Sequence, residues 1–319
     1  MENTNNLKSV DTLKYDSITE FLRDISYDGF LYKLISTKSF VFRGHSSNKY
    51  QLIPSALRLE SKSVFDRTAL CSIDETEYNL EFHQIVKELY LLRDFYKRCD
   101  KNGLFVDNIP VLRNSYFDAL MIKEIKKMDC WLPKEMWPLA SLAQHYGLST
   151  RLLDWTHDIN SALFFCVEDY LEGRNIPEGT TNIELWALNI DRVYEMENEG
   201  SPLKLVQPVY YGNTNLCAQQ GLFTLWQIGK KEYQATINRM PLDELLIQRI
   251  KNDTSSLPLL LRIVLPGDSA KQIYDHINKL GYNASRLYPG YNGVVKSLKH
   301  DFILFEERLS SDKVLIAKR

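Results

Sequence analysis

From residue 74 to residue 101 the chain contains neither glycine nor proline, and Tyr78, Phe82, Ile85, Leu89, Leu92 and Tyr96 recur at alternating steps of four and three. That periodicity lays one apolar stripe along a long helix. Other segments carry a different signal. Ser39-Phe40-Val41-Phe42-Arg43-Gly44 is short, aromatic and β-branched, which predicts a strand ending at the glycine. Residues 183–190, 205–211, 221–227 and 259–265 read as further strands, and 302–306 and 314–317 as edge strands of the tail. The fold class expected is therefore α+β.

Helix signals fill the intervals. Ser17 and Glu20 stand at capping-box spacing before Ile18, Phe21, Leu22 and Ile25. Residues 115–128, 161–170, 243–251, 269–280 and 291–298 read as helices. Another opens at Trp137-Pro138 and is closed by Gly147 in a left-handed cap. Tyr50-Gln51-Leu52-Ile53-Pro54-Ser55 is an extended stretch. No Ser/Pro/Gly-rich linker divides the chain, so residues 1–319 are expected to form a single composite domain with 63–136 as a helical insertion within it.

Composition narrows the function classes. With 319 residues, 44% hydrophobic and 25% charged, the chain can bury a core that needs no disulfide or metal. A net charge of −2 argues against a dedicated non-specific DNA binder, which must displace counterions from many phosphates. A local basic pocket for one nucleotide stays open. Five cysteines without a CxxC pair fit a reducing cytoplasm, and no metal is expected. Residues 1–16 lack an apolar signal core and no run of about 18 apolar residues occurs, so a cytoplasmic protein without a membrane partner is expected. No GxGxxG, Walker, HExxH or GxSxG motif is present.

The densest chemical stretch is Gln144-His145-Tyr146-Gly147-Leu148-Ser149-Thr150-Arg151-Leu152-Leu153-Asp154-Trp155-Thr156. Apolar neighbours imply partial burial, and buried polar groups need partners. Arg151 and Asp154 are expected to form a charge pair that holds the turn after Gly147, so that Asp154→Ala would cost substantial stability. His145, at the expected helix end, is either a satisfied core histidine or, like Tyr146, lines a ligand pocket. Arg43 at a strand end can bind phosphate or carboxylate through its guanidinium fork, with Gly44 admitting a ligand to the backbone. Its bland alternative is a salt bridge to a neighbouring acid. Ser55 and Arg58 would extend that polar wall. Gln219-Gln220-Gly221 offers two amides that donate and accept, or a polar strand entry.

Taken in order, Phe42-Arg43-Gly44, Pro54-Ser55-Ala56-Leu57-Arg58, Ala143 to Gly147 with Thr150 to Thr156, and Gln219-Gln220-Gly221-Leu222-Phe223 resemble the FRG domain family, from about Phe40 to Leu298. The Arg-Gly on the first strand of that family is similar to the start of ADP-ribosyltransferase toxins. By that analogy the resemblance implies a mixed, mainly antiparallel sheet forming a cleft, and an ADP-ribosyltransferase-like enzyme with NAD as substrate. Such proteins occur in bacteria, phages and mobile elements, which implies a toxin or antiphage defence effector. The acceptor would be a protein or nucleic acid, and a neutralising or sensor partner protein is a further expectation. Arg43, His145 and Gln220 would then be catalytic. Arg43, Gly44, Tyr50, Ser55, Arg58, Tyr146, Thr150 and Gln219 would bind the nucleotide, with Tyr50, Tyr146 or Trp155 stacking on nicotinamide. The Ser-Thr-Ser pattern of arginine-class transferases does not occur; Gln219, Gln220 and Glu306-Glu307 are candidate substitutes for the acidic partner of that class. A nucleotide or nucleic-acid binding or sensor module, an NAD glycohydrolase or nuclease, and a scaffold remain alternatives.

Overall fold

The computed structural model describes residues 7–36, 39–59, 80–114, 118–250 and 257–317. Its strands are β1 (Val10–Lys14), β2 (Phe40–His45), β3 (Cys130–Trp131), β4 (Leu152–Thr156), β5 (Asn182–Asn189), β6 (Leu203–Val206), β7 (Gly221–Trp226), β8 (Ile228–Gly229) and β9 (Leu260–Pro266). The helices are α1 (Ile18–Asp24), α2 (Phe30–Ser36), α3 (Glu81–Lys101), α4 (Pro110–Arg113), α5 (Asp118–Lys127), α6 (Trp137–His145), α7 (Ile159–Leu171), α8 (Ile190–Asn198), α9 (Thr214–Ala218), α10 (Leu242–Arg249), α11 (Ala270–Lys279), α12 (Ala284–Leu287) and α13 (Tyr291–Ala317). Seven strands form one sheet in the order β1-β9-β5-β2-β4-β7-β6. β1 runs parallel to β9, and the remaining neighbours are antiparallel. The chain is thus α+β with a mixed, mainly antiparallel sheet.

Alternation along the strands feeds a core on each face of the sheet. Phe40, Phe42, Leu185, Ala187, Leu261 and Ile263 pack with α7 and α11. Val41, Leu153, Trp155, Trp186, Leu188 and Leu260 point the other way, toward Val193, Leu242 and Leu246 of α8 and α10. A third cluster joins Ile85, Leu89, Leu92 and Tyr96 of α3 to Leu152, Phe223 and Leu225 of the sheet. The described part of the 63–136 block therefore shares a core with β4 and β7. α3 is also buried beyond its apolar stripe, at Glu81, Gln84, Lys87 and Glu88. Tyr78 and residues 63–79 lie outside the described residues.

Several sequence expectations are corrected. The tail strands at 302–306 and 314–317 do not form; α13 runs through both segments. No glycine or proline follows Gly293, so nothing interrupts a helix once started. The strand expected at 205–211 ends at Val206, and Pro208 two residues later cannot donate to a ladder. β1 was not legible, because its burial alternates weakly at a sheet edge. β4 was hidden because Leu152, Leu153, Trp155 and Thr156 are buried on both faces, which erases the alternation. Gly147 does cap α6: its φ is +86°. Its N–H donates to the Gln144 carbonyl and that of Leu148 to Ala143, a Schellman arrangement.

Candidate functional site

The sheet is not evenly sewn. β2 shares six residue pairs with β5, and β4 shares five with β7, but β2 and β4 meet at the single pair Phe42 with Thr156. Beyond that pair the strands part, and the Arg43 side chain bridges the gap. Its Nη1 donates to the Asp154 main-chain oxygen at 2.9 Å and lies 3.3 Å from Asp154 Oδ2. Its Nε donates to His45 Nε2 at 3.1 Å. Nη2 has no partner among the described residues, so that edge of the guanidinium stays available.

The opening leads into a cleft of about 420 Å³. Its floor is Phe42, Arg43, Gly44, Asp154, Trp155 and Thr156. One wall is the C-terminal end of α6, with Gln144, His145 and Tyr146; the opposite wall is Asn215, Leu216, Gln219, Gly221 and Phe223. Phe165 of α7 and Tyr288 close it.

A hydrogen-bond relay fixes the floor. Ser55 Oγ accepts from the Thr150 N–H at 3.2 Å, and Thr150 Oγ1 donates to Gln144 Oε1 at 2.6 Å. That bond orients the Gln144 amide so that Nε2 reaches both Asp154 carboxylate oxygens at 3.1 Å. The Asp154 side chain nevertheless keeps 53% of its surface exposed, against 15% for Arg43. The result is an accessible carboxylate held in one orientation beside a guanidinium.

The other walls are anchored as well. Tyr288 donates to Glu168 Oε1 at 2.7 Å, and Lys296 lies 4.4 Å over its ring while also pairing with Glu168. Burial, then Glu168, raises the Tyr288 pKa, so it stays a neutral donor. Gln219 Nε2 donates to the Leu287 carbonyl at 3.1 Å, and its main-chain oxygen accepts from Thr156 Oγ1 at 2.7 Å. Partial burial pushes His145 below its ordinary pKa against the opposing pull of Asp154, so its imidazole is neutral at pH 7. His45 is pushed well below its ordinary value, first by burial and then by Arg43, Arg58 and Arg262. Among the described residues no group of three or more His, Cys, Asp or Glu could hold a metal ion.

Of the residues expected from sequence, the cleft gathers Arg43, Gly44, His145, Tyr146 and Gln219. Tyr50, Ser55, Arg58, Thr150 and Gln220 do not line it. Tyr50 packs edge-on to His45. Arg58 Nε donates to the Ile53 carbonyl. Ser55 and Thr150 act one layer back, through Gln144. Gln220 has a φ of +47° and offers its main-chain oxygen to the His157 N–H. Trp155 is buried and its Nε1 donates to Thr224 Oγ1, so it is not placed to stack. The side chains of Glu306 and Glu307 lie outside the described residues.

One expectation about roles is overturned. Arg151 and Asp154 are not partners. Arg151 is buried, and its Nε donates to Glu88 Oε2 at 2.6 Å while Nη2 makes an ion pair with Glu81. Glu88 also accepts from Trp131 Nε1 at 2.7 Å and from Gln84 at 2.9 Å. Along a strand neighbouring side chains alternate faces, so residues 151 and 154 point to opposite sides of the sheet. Gly44, which lines the cleft, must also be small for a helix. A Cβ there would sit 2.2 Å from the Ala162 carbonyl oxygen and 2.6 Å from the Cys166 nitrogen of α7.

Sequence reasoning missed Asp154 as the cleft carboxylate and Phe165 and Tyr288 as its aromatic walls. The Leu-Asp-Trp-Thr run carried a weak signal, since a lone acid within a buried apolar strand needs an opening to face.

Residues 38–175 match the family model of the FRG domain. The range covers β2, α3, α6, β4 and α7, hence the floor and the α6 wall. The Gln219 wall and Tyr288 fall outside it. No curated protein and no solved structure matches the chain.

Proposed function

The chain carries an FRG domain at residues 38–175, and from that premise we propose that its cleft binds a nicotinamide dinucleotide and transfers ADP-ribose from it. The observation that carries this reading is the parted β2–β4 seam, which brings Arg43 and the oriented Asp154 carboxylate to the floor of one cleft. The cleft volume, about 420 Å³, lies in the range of small-molecule sites. In this reading the free edge of Arg43 takes the diphosphate. Tyr146, Phe165 and Tyr288 contact the bases. The bond from ribose C1′ to the nicotinamide nitrogen breaks, and nicotinamide leaves neutral with the bonding pair. Asp154 stabilises the positive charge that develops on the ribose, as carboxylates do in glycoside cleavage. An acceptor nucleophile then bonds to C1′ and gives its proton to neutral His145.

The test is incubation of the purified chain with NAD labelled in its adenylate half, plus cell extract. Label on protein or RNA, with nicotinamide released in equal amount and both lost in Asp154→Asn, supports the reading. Nicotinamide release without transfer would assign a glycohydrolase. A second reading, a nucleotide-binding module without catalysis, is favoured by one observation: both Asp154 oxygens are already engaged, by Gln144 and Arg43. Tight binding of ADP-ribose or NAD with no nicotinamide released would select it.

A further inference from the structure

The two walls of the cleft differ in what they leave free. At the α6 wall, Gln144 spends both ends of its amide inside the protein, Oε1 on Thr150 and Nε2 on Asp154. Gln219, half-buried at the opposite wall, spends only one end. Its main-chain N–H donates to the Asn215 carbonyl, its main-chain oxygen accepts from Thr156 Oγ1, and its Nε2 donates to the Leu287 carbonyl at 3.1 Å. A carbonyl only accepts, so Leu287 fixes which end of the amide is nitrogen. Among the described residues nothing donates to Gln219 Oε1. That oxygen is the acceptor this wall holds for a ligand, with the second hydrogen of Nε2 beside it.

An aromatic platform stands next to it. Tyr288 follows Leu287 in the chain and also lines the cleft. Its hydroxyl is held by Glu168, Lys296 lies over its ring, and Phe164 meets the ring edge-on at 6.3 Å. The ring is therefore fixed before a ligand arrives, and the bond from Gln219 to Leu287 ties the acceptor to the same stretch of backbone. Stacking on an aromatic ring tolerates every base, so the amide makes the choice. Glutamine pairs with adenine through the amino group and N7. Hypoxanthine carries an oxygen in place of that amino group and would set it against Oε1. The amide cannot turn over to suit it without setting Oε1 against the Leu287 carbonyl. In the ADP-ribose reading of the cleft, Asp154 and His145 take the nicotinamide ribose at the α6 side, which leaves the other end of the dinucleotide to the Gln219 wall. We infer that Gln219 and Tyr288 form an adenine subsite, in which Gln219 selects a 6-aminopurine over a 6-oxopurine. Both residues lie outside the range 38–175 that matches the FRG domain.

The subsite rests on that reading of the cleft, and one experiment separates the two. The purified full chain is titrated calorimetrically with ADP-ribose and with its hypoxanthine counterpart, inosine diphosphate ribose. Neither contains nicotinamide, so no transfer intrudes. Wild type is expected to bind ADP-ribose about 10- to 100-fold more tightly. Gln219→Met should bind the two with similar affinity. Tyr288→Leu should weaken both by the same factor and keep the preference. Equal binding of the two ligands by wild type would overturn the subsite and leave the reading of the cleft standing, as would a preference that survives in Gln219→Met. Failure of wild type to bind either ligand would overturn both. The wild-type comparison decides even where a variant fails to fold.

Discussion

The Nε of Arg43 donates to Nε2 of His45 across 3.1 Å. An imidazole nitrogen that accepts carries no proton, so His45 is the neutral Nδ1–H tautomer. The guanidinium at the parted seam is therefore aimed by a buried histidine that must stay uncharged.

That requirement gives a pH dependence with a definite sign. The ordinary histidine value is 6.5, and burial with the cations Arg43, Arg58 and Arg262 holds folded His45 well below it. In the unfolded chain His45 gains its proton below about pH 6.5, where the folded chain resists it. Stability is thus fully present above that value and lost as pH falls toward the folded pKa. His145, His157 and His300 are lowered too, each first by burial, and add in the same direction. Tm is expected to fall between about pH 7 and pH 5. His45→Gln keeps an acceptor for Arg43 and removes one titration, so its Tm curve should be flatter. An equally steep curve would show that His45 takes no part.

Exchanging the partners of Arg151 and Asp154 reverses the stability expected for each. Asp154→Ala breaks a half-open pair and should cost only about 0.5 kcal/mol, Arg43→Ala leaves a mostly buried network without its donor and should cost roughly 1–3 kcal/mol, and each should abolish the transfer proposed for the cleft. Arg151→Ala leaves Glu81 and Glu88 buried without their cation and should cost roughly 3–5 kcal/mol. Denaturant titration of the three variants checks the order; an Asp154→Ala loss as large as that of Arg151→Ala would contradict the pairing.

Gly44→Ala should be among the most damaging small substitutions. The added methyl meets backbone atoms of α7, which cannot swing aside as a side chain can. A loss of about 3 kcal/mol or more is expected, visible as insoluble expression or a large fall in Tm. A normally stable variant would mean that α7 can slide along β2.

Gln220 holds a left-handed backbone, φ +47°, without being glycine. Relief of that conformation offsets the extra chain freedom of glycine. Gln220→Gly is therefore expected to leave Tm unchanged or slightly raised, while Gln220→Val should lose roughly 1–2 kcal/mol. Activity should survive in Gln220→Gly, because the Gln220 contact made to His157 uses the main chain. Loss of activity in that variant alone would return the side chain to the chemistry.

The elements read correctly from sequence are those with one consistent period or one unambiguous local signal. α7, α11, β5 and β9 follow from their apolar runs, and the Schellman end of α6 follows from Gly147. Of the seven-stranded sheet, the strands that escaped are an edge strand, β1, and a strand buried on both faces, β4; the two-residue strands β3 and β8 are too short to show any period. The first offers too little burial to mark a face and the second buries both, so neither shows clean alternation.

For the cleft, sequence determined the ingredients: an arginine at a strand end, a dense polar string after a capped helix, and two glutamines before a strand. Those are local facts, set by residue type and by neighbours a few positions away. Only the tertiary structure decided who faces whom. Arg43 and Asp154 are 111 residues apart in the chain and Arg151 and Glu88 are 63 apart. Periodicity along a chain carries no information about such pairs. They follow from the order of strands in the sheet and from the one place where β2 and β4 stop pairing, which made Gly44 a seat for a helix, Arg151 a buried anchor, and Asp154 the carboxylate of the cleft.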